Sequence, residues 1–507
     1  MTIQFHTLRT VGGTGQELMK SFFLVFALLI PGLTRGQEPV AFDRYFVDST
    51  MRVDLYHVGD KNDEFYTLDR VLREGRWAGT TVNLVDPFDF GRYRARLVDI
   101  ASNTLIYSRG YDTYFGEYKT TDQAKNGIKR VFQESILCPF PKRPALLVID
   151  RRNHSNIYQP FFEQRIDPSD YHIITESTPR NDVLITVLHG GDPHHAVDLV
   201  LVSEGYAQSD QKKFAEDVKR YTDILFAWEP YRQNKSHFNV TGVFSPSPES
   251  GVDEPRQGSY KKTLLNATFN SLDSDRYLLT EENKLMRDVA GQVPYDAVLV
   301  MVNSKRYGGG GIYNDFTAFT SDGPTNDYVF VHEFGHAFGG LGDEYMGDVS
   351  YEGFFPKGIE PTEPNLTALL DPANLKWKDL VSPGIPIPTE WGEATYDSLI
   401  ARRSELSVKR EKKLSQLRAD GAADSTVKEI GKGFNKDIGE LSKRITSFLE
   451  DHPLKGKVGA FEGGGYEHKG IYRPTVNSLM NQFTKTDKSM YPVSERAVEK
   501  MIEYYIR

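Results

Sequence analysis

The chain carries one cysteine, Cys138, in 507 residues. A lone thiol cannot close an internal disulfide, so packing must hold the fold, and a small disulfide-stapled module is excluded. Histidine is scarce as well, at 12 residues, so two of them at helical spacing carry weight. Basic residues are not in excess. The 61 Lys and Arg face 70 Asp and Glu, a formal net charge of −9, which argues against nucleic acid as a partner. An apolar stretch of the roughly 20 residues needed to span a bilayer is also lacking. The unbroken run from Phe22 to Ile30 falls well short of it.

What is present is globular in character. Hydrophobic residues make up 39% and charged residues 26%, and 27 Tyr and 30 Phe suffice for sizeable cores. The length calls for two or three domains. Lys20 precedes the apolar run, Pro31-Gly32 ends it, and Thr34-Arg35-Gly36 supplies small residues before Gln37. That is the order of a secretory signal. Residues 1–36 are therefore expected to be a removable leader, with Met19 as an alternative start. The mature chain is expected to be secreted, whether periplasmic, on the cell surface or extracellular, and to have no transmembrane segment.

Between residues 37 and 175 the pattern alternates with a period near two, as in Tyr93-Arg-Ala-Arg-Leu-Val. Turn residues such as Gly59-Asp60-Lys61-Asn62 separate the runs, which predicts a β-sandwich accessory domain. From residue 176 to 507 the character changes. The apolar run of Val197 to Val202 reads as a buried strand, Asp210 to Trp228 as a helix, and Tyr295 to Asn303 as another strand, the mark of an α/β layer. Residues 391–451 differ again, being charge-rich. Val427, Ile430, Phe434, Ile438, Leu441, Ile445 and Phe448 follow three-four spacing, and Gly421 lies between two such stretches. An antiparallel, coiled-coil-like helical hairpin is expected there.

The chemistry is concentrated in Asp327 to Tyr345, which contains His332-Glu333-Phe334-Gly335-His336. Residues four apart share a helix face, so His332 and His336 can offer two imidazoles to one ion. A catalytic zinc site needs three protein ligands and an open position. Glu333 falls beside that face, where a carboxylate can take a proton from metal-activated water. Gly339-Gly340 then end the helix, so a carboxylate shortly afterwards can double back to the metal. Asp343 is the best-placed third ligand and Glu344 the alternative, with Glu352 or Glu360 weaker options. The position of a third ligand after a glycine turn in the longer motif is occupied here by Gly342, one residue early, so the loop must differ. Gly308-Gly-Gly-Gly311 reads as a strand edge able to pair with substrate backbone.

The motif HEFGHAFGGLGDEY resembles the signature of the immunoglobulin-A peptidase family of zinc metallopeptidases, a metzincin-like zincin group. Val197 to Tyr206, Pro248 to Val252, Phe461 to Tyr466 and Tyr472 to Met480 are similar to blocks of the same family, and Phe42 to Ile174 is similar to the N-terminal domain of its Bacteroidetes-type members. The resemblance implies zinc on His332, His336 and Asp343, with Glu333 as general base and acid. It implies a methionine turn at Asn477 to Met480 beneath the metal, and Tyr472 or Tyr466 as donor to the oxyanion. The helical stretch at 391–451 departs from the family pattern.

The expected fold class is therefore α+β: an N-terminal β-sandwich followed by an α/β zincin domain with an inserted helical hairpin. The expected function is that of a secreted zinc-dependent endopeptidase acting on extracellular protein, with immunoglobulin A or a mucin-type glycoprotein among the substrates. The alternative is a catalytically inactive, zinc-dependent glycan- or protein-binding surface protein.

Overall fold

Alternation of apolar and polar residues becomes two antiparallel sheets. The computed structural model describes residues 39–175, 180–347, 354–481 and 488–507; the expected leader and Glu352 lie outside them. After the short helix α1 (Phe42–Tyr45) come β1 (Phe46–Gly59), β2 (Glu64–Arg73), β3 (Tyr93–Asp99) and β4 (Thr104–Tyr111). Two short helices follow, α2 (Tyr114–Tyr118) and α3 (Asp122–Lys125), then β5 (Arg130–Pro141), β6 (Ala145–Arg152) and β7 (Tyr158–Ile166). One sheet has the order β2-β1-β5 and the other β4-β3-β6-β7. Along β3 every second residue is buried. Val53 and Leu55 of β1, Ile136 and Cys138 of β5, Leu97 of β3 and Leu147 of β6 meet in one apolar core.

The next part is a six-stranded sheet, to which β8 (Val183–Leu188), β9 (Val197–Glu204), β10 (Phe238–Phe244), β11 (Ala297–Val302), β12 (Gly309–Ile312) and β13 (Phe316–Thr320) contribute in the order β12-β13-β11-β9-β10-β8. The four inner strands are parallel and both edge strands antiparallel. Every residue of β9 is buried, which is why it reads as a continuous apolar run rather than an alternating one. Its period of two still assigns faces. Val197, Leu199 and Leu201 pack with α4 (Gln211–Leu225), α6 (Asn326–Gly339) and α9 (Pro492–Ile506). Val200 and Val202 pack on the other side with Met286 and Val289 of α5 (Asn283–Ala290).

That second face also buries Tyr114, Phe115, Tyr118 and Phe132 of the N-terminal part. Arg52 on β1 strengthens the join, with Nη1 2.7 Å from Asp288 Oδ1 and Nη2 donating to the Lys284 carbonyl, both on α5. Val40–Arg507 is accordingly one compact unit. Two helices, α7 (Glu393–Ala419) and α8 (Asp424–Glu450), run side by side, joined through Gly421 at φ 71°. Trp391, Tyr396 and Ile400 meet Ile445 and Leu449 at their base, whereas Val408 towards the tip is exposed. The hairpin β14 (Phe461–Gly464) and β15 (Glu467–Arg473) follows. The chain is thus a mixed α/β protein of several sheets. Among the described residues no helix is long and apolar enough to cross a membrane.

Inside the N-terminal part His57 is fully buried between two carboxylates, with Nδ1 2.9 Å from Glu134 and Nε2 3.2 Å from Glu64. Carboxylates only accept, so both ring nitrogens carry hydrogen and the ring is cationic. Burial opposes that charge, but Glu134 and Glu64 outweigh it and raise the imidazolium above its ordinary value. The stability this gives is complete below the unfolded-state value of about 6.5 and is lost as pH rises through the raised folded-state value. His57→Gln should cost about 1–3 kcal/mol near neutral pH, because it removes the cation between the two carboxylates while Glu64 keeps Lys119 and Arg151 and Glu134 keeps the Tyr66 hydroxyl. It should also flatten the alkaline fall in stability, as read by urea unfolding across pH 6 to 10.

Candidate metal centre

Helix α6 begins after Thr325 and ends at Gly340, whose φ of 63° lies in the left-handed region that glycine enters without strain. The Gly340 and Leu341 amides donate back to the carbonyls of His336 and Gly335, closing the helix and reversing the chain. Asp343 is thereby carried back over the face that bears the two histidines.

The imidazoles are aimed by their outer nitrogens. His332 Nδ1 lies 3.0 Å from the Leu479 carbonyl and His336 Nδ1 2.6 Å from the Leu341 carbonyl. A carbonyl can only accept, so each Nδ1 carries a hydrogen and each Nε2 faces inward, where the neutral ring presents a lone pair. The two Nε2 atoms are 3.2 Å apart, and Asp343 Oδ1 is 3.2 Å from one and 3.4 Å from the other. Asp343 Oδ1 is buried with no hydrogen-bond partner. Its Oδ2 accepts from the Tyr466 hydroxyl at 2.7 Å, and its carbonyl from the Gly465 amide.

Three ligand atoms on tetrahedral corners about 2.05 Å from an ion lie about 3.3 Å apart, so these spacings suit zinc. The electrostatics agree. Burial opposes a charge on His336, yet Asp343 pushes it up to about 9. Burial likewise opposes a charge on Asp343, and His336 and His332 hold it well below the carboxylate range. The three atoms favour positive charge among them. The residues therefore fit a divalent metal, and His332, His336 and Asp343 form the His/Asp cluster able to hold one among the described residues.

The other candidates fall elsewhere. Glu344 is turned away: Oε2 accepts from Ser478 Oγ at 2.6 Å and Oε1 from Asn365 Nδ2 at 2.8 Å. Burial pushes that carboxyl up to about 7. Its amide donates to the Met480 carbonyl, so it ties the ligand loop to the turn beneath α6. Glu360 accepts from the Ala368 amide and sits 3.2 Å from Lys376, in a separate groove. Met480 is fully buried, and a Cβ on Gly335, between the two histidines, would lie 3.2 Å from its sulfur. Tyr472, expected as an oxyanion donor, is not brought to the centre. It stands on β15 opposite Glu462, its backbone paired with Thr367. Tyr466, at the tip of the β14–β15 hairpin with φ 67°, is the tyrosine that reaches Asp343.

The centre opens into a cleft of about 710 Å³. Glu333 is half-buried in its wall. The expected glycine edge is β12, and two neighbours explain its composition. On one side a Cβ at Gly309 would meet Glu333 Cγ at 3.0 Å, and one at Gly311 would overlap the Glu333 carbonyl. On the other, Gly308 and Gly310 are closed in by Phe269, Tyr277 and Leu279. The outer edge of Gly309 is already used, since the Leu278 amide donates to its carbonyl.

Three features of the site have little or no signature in the sequence. Asp112, Tyr114, Glu117 and Tyr118 of the N-terminal part line the cleft, although nothing in their spacing signals it. Asn365 clasps the ligand loop, exchanging hydrogen bonds with both backbone groups of Gly342. Arg276 also lines the cleft, and its Nη2 donates to the Tyr345 hydroxyl at 3.3 Å. Tyr345 is the last residue of the motif itself, which is a signal in the sequence; Arg276 has none.

A family model described as IgA Peptidase M64 matches residues 185–502, and one described as Peptidase M64 N-terminus matches residues 41–163. No curated protein matches the chain.

Two substitutions test the centre. If the centre holds a divalent metal, Asp343→Ala should abolish its stoichiometric binding, with zinc as the probe, since two imidazoles alone make a weak site. Tyr466→Phe, which removes the hydroxyl that orients Asp343, should weaken binding of the same probe by roughly 10- to 100-fold. Competition against a chromogenic chelator measures both.

Proposed function

We propose, since the chain belongs to the IgA Peptidase M64 family, that it is a secreted zinc-dependent endopeptidase of extracellular protein. The observation that carries this reading is the convergence of His332 Nε2, His336 Nε2 and the unpartnered Asp343 Oδ1 beside Glu333 in an open cleft. In this reading the part of the chain around α6 is a zincin domain. The two N-terminal sheets are a β-sandwich accessory domain, and α7–α8 is a hairpin inserted in the catalytic part. The leader at 1–36 is the reason for assigning export.

Bound zinc would polarise the scissile carbonyl and acidify the attacking water. The chain's own residues do the rest. Glu333 accepts the proton as the water oxygen bonds to the carbonyl carbon, and the carbonyl π electrons pass to its oxygen. Glu333 then returns that proton to the amide nitrogen as the carbon–nitrogen bond breaks. His332 and His336 stay fixed by the Leu479 and Leu341 carbonyls throughout. A cleft of about 710 Å³ has room for an extended segment of chain, which favours internal cleavage. The family's name makes immunoglobulin A a first substrate to try, with mucin-type glycoproteins beside it.

The test compares the chain starting at Gln37 with its Glu333→Ala variant on a mixed protein pool containing immunoglobulin A, with new N-termini read by mass spectrometry. New termini from the wild type and at least a hundredfold fewer from the variant are expected. No new termini from either, with zinc bound in each, would overturn the peptidase reading in favour of a zinc-dependent binding protein.

A further inference from the structure

We propose that Arg276 is a catalytic residue: its guanidinium, held by the Tyr345 hydroxyl at the wall of the cleft, takes up the negative charge that develops on the scissile carbonyl oxygen. The assignment rests on the peptidase reading above.

Two independent anchors bring Arg276 to the centre. The first is backbone. The segment that carries it runs along β12, with Tyr277 bridged to Gly309 and the Leu278 amide bonded to the Gly309 carbonyl. Gly308 leaves no room for a side chain there, because a Cβ would sit 2.9 Å from the Arg276 carbonyl. Gly309 and Gly311 of the same strand pack against Glu333. Arg276 and the base are thus registered on one strand. The second anchor is side chain. Arg276 Nη2 donates to Tyr345 Oη, and the Tyr345 ring packs edge-on against Tyr466 at 5.4 Å, the residue that holds Asp343. The cation is tied both to the base and to the metal-ligand loop.

Its surroundings keep it charged. Burial opposes the charge, and Tyr345, Tyr307 and Asp343 outweigh it. Tyr307 is itself held high by burial and by Glu333 and Asp343, with Arg276 opposing, so the four groups share one field. The chemistry calls for such a group. Peptide hydrolysis passes through a tetrahedral oxyanion, and donors pre-placed for it act most strongly where water is excluded. The Tyr466 hydroxyl is already given to Asp343, Tyr472 lies at Glu462, and both histidines are committed. A guanidinium has five N–H donors in a rigid fork, more than its neighbours Tyr345 and Tyr307 can take up with one hydroxyl each, so it can hold both and still reach a carbonyl oxygen.

The experiment uses a quenched fluorescent peptide chosen from the wild-type cleavage map, and a phosphinic analogue of that peptide. Arg276→Ala should lower kcat by about 100- to 1000-fold with KM little changed and zinc content intact. Affinity for the tetrahedral phosphinic analogue should fall with kcat/KM, added guanidine should restore part of the rate, and Arg276→Lys should keep an intermediate rate. A raised KM at unchanged kcat, an undiminished rate, or loss of zinc from Arg276→Ala would overturn the assignment. Should the wild type lose activity only through Glu333→Ala and not through Arg276→Ala, the peptidase reading stands and Arg276 alone is wrong. A wild type that cleaves nothing overturns both.

Discussion

Two hydrogen bonds from imidazole Nδ1 atoms to backbone carbonyls are what the rest of this site depends on. Helical spacing puts His332 and His336 on one face, but spacing does not decide which nitrogen looks inward. The Leu479 and Leu341 carbonyls decide it. They come from very different distances along the chain, five residues away for His336 and 147 for His332. Leu341 belongs to the turn that ends α6, so the same reversal that returns Asp343 also fixes His336. Leu479 comes from the distant turn beneath the helix. A metal placed here would meet nitrogens already oriented, and little rotamer entropy would remain to be lost on binding.

That distant turn is held by a buried carboxyl. Glu344 receives hydrogen bonds from Ser478 and Asn365, and gives its amide to Met480. Asn365 in turn clasps Gly342. The ligand loop and the turn under α6 are therefore one hydrogen-bonded body, and neither can move without exposing polar groups that have no solvent to turn to. Adjacent acids thus divide the labour: Asp343 keeps an oxygen open, and Glu344 spends both of its oxygens on structure.

This division shows what a sequence can carry. The pair His332 and His336, the helix stop at Gly339-Gly340 and the buried strand β9 were legible because each is a local pattern with one physical cause. The choice between Asp343 and Glu344 was not, because it turns on Ser478 and Asn365, remote in the chain. Tyr472 was a reasonable oxyanion donor by its neighbourhood. The tyrosine that arrives is Tyr466, because the tight turn between β14 and β15 projects it, with a positive φ that no periodicity announces. The glycines of β12 looked like a free edge for substrate. They are glycines because α6 and the segment before α5 close in on both sides, and that is a property of three elements at once.

The N-terminal part does more than its sequence pattern announces. As a sequence it alternates cleanly and carries no motif, so it reads as an accessory. Yet Tyr114, Phe115, Tyr118 and Phe132 are buried against the face of the central sheet that β9 and α5 complete, and Tyr114 and Tyr118 also line the cleft. Aromatic side chains of this size bury 150–250 Å² each in typical cores. Separating the two parts would expose all four at once, together with the buried Arg52 that reaches Asp288. Such an interface does not hinge at low cost. The cleft is then walled on both sides by parts of one core, so its width is set by packing before any substrate arrives. Binding energy that a hinged pair of domains would spend on closure stays available for the strained geometry of the transition state.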